Sequence, residues 1–119
     1  HAVRSALRRL EMGNLIGVFP EAGIRDGSAS ILAGGAFRDG ALLIASHSGA
    51  PLLPVVILGS DRLYNRRRWV PWSRARVDIG VREVLRPNPD IPRSAARVEI
   101  RSHFPVALAQ MRNGLSRHL

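Results

Sequence analysis

The sequence predicts an α/β fold, with a mixed, largely parallel sheet and flanking helices. Three observations carry that expectation. Two apolar runs, Leu15–Phe19 and Leu52–Leu58, read as buried strands, and a helical pattern over 37–48 lies between them. Strand, helix, strand in that order predicts a right-handed βαβ unit with parallel strands. Downstream, residues 74–82 alternate cleanly: Ala75, Val77, Ile79 and Val81 take one side and Arg74, Arg76, Asp78, Gly80 and Arg82 the other. That pattern predicts a half-exposed strand.

The elements follow in chain order. Residues 2–12 predict a helix, because Val3, Leu7 and Leu10 recur on one face with Arg4, Arg8 and Arg9 between them. Gly13 and Asn14 end it. Pro20 stops the run Leu15–Phe19. Residues 20–36 then form a loop rich in glycine, longer than compact domains usually hold without a function. The helix over 37–48 presents Phe37, Ala41 and Ile44 or Ala45 on one face, and Gly49 closes it. The stretch from Gly40 to Ser60 has no formal charge, but Ser46, His47, Ser48, Gly49, Pro51 and Pro54 interrupt it. It reads as a buried helix and a buried strand, not a membrane span. Pro87, Pro89 and Pro92 mark a linker. Ser94 is the expected N-cap of a final helix whose face is Ile100, Phe104, Leu108, Met111 and Leu115. Pro105 is expected to kink or split that helix.

Composition narrows the function classes. The 119 residues include 18 basic and 9 acidic side chains, for a net charge of +9. Every basic residue is Arg. Such a charge favours anionic partners: nucleic acid, phospholipid headgroups or phosphorylated substrates. The absence of Cys excludes disulfides, thiolate metal sites and a Cys nucleophile. His1, His47, His103 and His118 show no metal-ligand spacing, so no metal site is expected. His47 and His103 read as structural, and Ser28 and Ser30 have no nearby base.

The most informative stretch is Val18-Phe19-Pro20-Glu21-Ala22-Gly23-Ile24-Arg25-Asp26-Gly27. A Glu and an Arg sit four apart in a glycine-containing loop at the end of an expected strand, where ligands of parallel α/β sheets bind. Backbone N–H groups and the Arg25 fork suit a phosphate. Glu21 suits a hydrogen bond from Arg25 or from a substrate hydroxyl. The same pair also fits a surface Glu–Arg contact that closes the loop.

Phe19-Pro20-Glu21 followed by Arg25 resembles the Phe-Pro-Glu-Gly-Thr-Arg motif of the glycerolipid acyltransferases, the glycerol-3-phosphate and lysophosphatidate acyltransferases and their relatives. Phe37-Arg38-Asp39-Gly40-Ala41 resembles that family's Phe-Lys-x-Gly-Ala helix start. Pro51-Leu52-Leu53-Pro54-Val55-Val56 resembles its proline-valine block, and Val77-Asp78-Ile79-Gly80 a later strand ending in Gly. The four blocks keep the family's order over residues 2–115. Departures are local: Ala22 stands where the family has Gly, the Thr hydroxyl is missing, and one extra residue precedes Arg25.

The resemblance implies a partial acyltransferase-like domain, with residues 1–119 as the C-terminal portion of one catalytic domain. It implies transfer of a fatty acyl group from acyl-CoA or an acyl-carrier-protein thioester to a hydroxyl of a glycerol phosphate or lysophospholipid, within phospholipid biosynthesis. Substrate-binding residues would be Glu21, Gly23, Arg25 and Arg38. No catalytic residue is assigned, because none of the four His has the family's His-x4-Asp spacing; that base is expected upstream of residue 1. The fragment alone is expected to be inactive. No cofactor is implied beyond the thioester co-substrate. A membrane-associated site on the cytoplasmic face is expected, with a membrane surface as partner. Arg66, Arg67, Arg68, Trp69, Trp72 and Tyr64 fit either a membrane interface or a solvated loop whose Trp residues cap the core. The competing reading is a non-catalytic Arg-rich module binding nucleic acid or anionic lipid, although no nucleic-acid-binding signature appears.

Overall fold

A computed structural model of the chain describes residues 1–23, 27–36, 38–60, 62 and 76–116. Three helices dominate: α1 (Ala2–Glu11), α2 (Gly40–Ser48) and α3 (Arg93–Ser116). Two short strands, β1 (Val55–Leu58) and β2 (Asp78–Val81), pair antiparallel with Val55 opposite Val81 and Leu58 opposite Asp78. Single 3₁₀ turns lie at Gly27–Ala29 and Ile31–Ala33.

The expected mixed, largely parallel sheet is therefore corrected. Among the described residues the sheet is a two-stranded antiparallel ribbon, and the chain is mostly helical. The run Leu15–Phe19 is no strand. Ile16 and Val18 turn toward a cavity of about 60 Å³ lined also by Leu10, Ala41 and Ile44, and the run makes no ladder hydrogen bonds. With no strand at that position, the βαβ unit does not form. The second run is shortened by its prolines. Pro51 and Pro54 cannot donate to a ladder, so pairing is regular only from Val55, with one isolated bridge between Leu52 and Leu85.

α3 organises the molecule. Its stripe Ala96, Ile100, Phe104, Leu108 and Met111 is buried, and Phe104, Leu108 and Met111 share one core with Val56. Ile31, Leu32, Leu58, Leu85 and Leu115 pack around that core. Pro105 does not split the helix: α3 continues through it, with Phe104 and Leu108 buried on either side, and the proline withholds one intrahelical hydrogen bond. The helix begins at Arg93, one residue before the expected cap, with the Ala96 N–H donating to the Pro92 carbonyl. An ion pair from Arg101 to Asp39 (2.6 Å) ties α3 to the start of α2. Both partners are well exposed, so that pair contributes at most about 1 kcal/mol.

The ribbon is polarised opposite to the usual arrangement. Ile79 and Val81 are 63% and 57% exposed, whereas Asp78 and Gly80 turn toward α3. Gly80 permits this, since a Cβ there would lie 3.0 Å from the Leu115 side chain. At the other end of the ribbon Gly59 has φ +86°, and a Cβ would lie 2.3 Å from the Arg76 carbonyl oxygen. Chain and backbone meet there with no room to adjust. Gly59→Ala is expected to destabilise the chain by about 2 kcal/mol or more. An unchanged urea midpoint would show that this close approach is not maintained.

Candidate functional site

The candidate site is the loop between Leu15–Phe19 and α2. Two sets of contacts close it. At its neck the Arg38 N–H donates to the Pro20 carbonyl (2.8 Å). Inside it, one Glu21 carboxylate oxygen accepts from the Ile31 N–H (2.8 Å) and from the Ser30 hydroxyl (3.1 Å). Ser30 caps the 3₁₀ turn Ile31–Ala33: its backbone is extended, and its oxygen accepts from the Leu32 N–H. An anionic acceptor at the start of a helical turn satisfies N–H groups that have no partner within it. Glu21 thus spans the loop and fastens its first residues to a turn that packs on the α3 core.

The loop also holds a left-handed residue. The Ala22 N–H donates to the Phe19 carbonyl (3.2 Å), and Ala22 has φ +52°. A residue with a Cβ is uncommon in that region, which Gly enters freely.

Of the predicted site residues, the structure brings Glu21 and Arg38 to one neck of the loop through the Pro20–Arg38 hydrogen bond. The Arg38 side chain is exposed, and Gly23 is exposed with φ +155°. Arg25 lies outside the described residues, as do Phe37 and the segment containing Tyr64, Arg66, Arg67, Arg68, Trp69 and Trp72. Among the described residues Glu21 has two partners that the sequence reading missed, the Ser30 hydroxyl and the Ile31 N–H. The signal was present, since Ser30 precedes the apolar pair Ile31-Leu32 with Gly34 just beyond, an N-cap and stop pattern.

His47 is exposed on the last turn of α2, with Nδ1 2.9 Å from the Leu43 carbonyl oxygen. His103 is exposed on α3. Among the described residues no group of His, Asp and Glu is placed to hold a metal ion. No helix of the described residues is long and apolar enough to cross a membrane. Compared with known proteins, the chain matches no family model, no curated protein and no solved structure.

The Glu21 contacts need an oxygen acceptor, not a charge in itself. Glu21→Gln is expected to keep both hydrogen bonds through its amide oxygen and to cost under about 1 kcal/mol. Glu21→Ala leaves the Ile31 N–H and Ser30 hydroxyl without their partner and is expected to cost about 1–3 kcal/mol. Equal melting temperatures for the two variants would remove Glu21 from the loop's support.

Proposed function

We propose that this chain carries the acceptor-binding loop of an acyltransferase that moves a fatty acyl group from a thioester to a hydroxyl of a glycerol phosphate or lysophospholipid. In that reaction the hydroxyl oxygen forms a bond to the thioester carbonyl carbon, the carbon–sulfur bond breaks, and the thiol leaves. The hydroxyl proton goes to a general base. This sequence contains no His-x4-Asp, so the base is not assigned to it, and the chain's part is recognition. Arg25 binds the acceptor's phosphate through a charge-assisted, bidentate contact. Arg38, at the loop's neck, adds positive potential. Glu21 holds the loop in shape and leaves its second carboxylate oxygen for an acceptor hydroxyl.

The observation that carries this reading is the backbone at Ala22. The motif resembled by Phe19-Pro20-Glu21 has Gly at the next position, and here that position takes the left-handed conformation a Gly would favour. The left-handed backbone at this position supports the reading, with Ala in the place of the motif's Gly. The reading rests on this loop and not on the sheet.

Calorimetric titration of the chain with glycerol 3-phosphate tests it. Binding is expected, and Arg25→Ala is expected to weaken it at least tenfold, the loss of one charge-assisted contact. Binding that is absent, or indifferent to Arg25, would remove the proposed role.

A further inference from the structure

α1 is a basic amphipathic helix. Val3, Ala6, Leu7 and Leu10 form its half-buried stripe, while Arg4, Arg8 and Arg9 are exposed. Among the described residues, no hydrogen bond or ion pair engages those three guanidinium groups. The segment that follows α1 in the chain exposes apolar side chains. Met12 is 70% exposed, Leu15 93% and Phe19 82%. Leu10 of α1 and Ile16 and Val18 of that segment line one cavity with α2. Both elements thus pack inward on α2 and send their remaining side chains outward.

We infer that this N-terminal region, with the exposed Arg4, Arg8 and Arg9 of α1 and the exposed Met12, Leu15 and Phe19 of the segment that follows it, docks on an anionic lipid bilayer. The inference rests on the lipid-acceptor reading above and names the surface that would bring the loop to its substrate. Charge selects the partner: three uncommitted arginines on a chain of net charge +9 are attracted to anionic headgroups and repel a second copy. The apolar side chains separate lipid from nucleic acid. Met, Leu and Phe gain by entering the headgroup–acyl boundary, as on interfacial amphipathic helices, whereas a phosphate backbone offers Met and Leu nothing. The arrangement also places the docking surface next to the candidate loop, because Phe19 ends the exposed segment and Pro20 begins the neck.

Co-sedimentation of the 119-residue chain with vesicles tests this. Binding is expected to vesicles of equal parts phosphatidylglycerol and phosphatidylcholine, with little to pure phosphatidylcholine. Replacing Arg4, Arg8 and Arg9 together by Gln is expected to lower partitioning by about a hundredfold, roughly fivefold for each Arg. Met12→Ser with Leu15→Ser is expected to lower it at least tenfold. All five side chains are exposed, so both variants should keep the wild-type melting curve; if one does not fold, the other still decides. Absence of vesicle binding overturns the inference. So does binding that ignores the Met12 and Leu15 changes while a duplex DNA competes for the same arginines, which would assign the surface to nucleic acid. Glycerol 3-phosphate titration separates the two proposals. Lost vesicle binding with acceptor binding intact sinks this surface alone, whereas lost acceptor binding with vesicle binding intact sinks the loop reading alone.

Discussion

The packing of one face of α3 holds the chain together. Phe104, Leu108 and Met111 meet Val56 in the core, and every other described element packs on α3 or, as α1 does through α2, on an element that does. Truncating any one of these side chains to Ala would cost about 2–5 kcal/mol, a large part of the stability of a domain this size. The candidate loop depends on the same contact. Ile31 and Leu32 pack against the α3 core, and the Arg112 guanidinium of α3 donates to the Leu32 carbonyl. Glu21 is fastened to Ser30 and Ile31, so the start of the loop is positioned from α3 through two residues.

That chain of contacts ties together the described parts of the glycine-rich loop without a strand on its N-terminal side. The Pro20–Arg38 hydrogen bond fixes the neck, the Glu21 carboxylate fixes the inside, and Ala22 next to it is left-handed. Glu21 commits one carboxylate oxygen to the loop's own N–H and hydroxyl donors, so any role toward a ligand falls to the second.

The helices were largely legible in the sequence and the sheet was not. For α1 the periodicity of Val3, Leu7 and Leu10 and the Gly13-Asn14 stop gave bounds within one residue. Helix periodicity is set by the chain itself and survives whatever packs on it. A run such as Leu15–Phe19 becomes a strand only if a partner supplies the ladder, and no local pattern reports a partner. Alternation in β2 correctly separated two faces but did not say which one turns inward. That was decided by Gly80, whose missing side chain lets Leu115 and Met111 of α3 approach. At the site, Glu21 was recognisable as a functional candidate, but its attachment to Ser30 and Ile31 spans about ten residues and depends on how the loop folds back. Arg25, the residue on which the recognition argument leans, is known from the sequence alone.

The central claim is that the loop from Pro20 to Arg38 recognises a phosphorylated acceptor. Amide-resolved NMR of the ¹⁵N-labelled chain, titrated with glycerol 3-phosphate, tests it most directly. The account predicts saturable shifts concentrated in residues 20–38, with α3 and the arginines of α1 unmoved. Shifts spread over the basic surface, or none at a ligand excess, would contradict it.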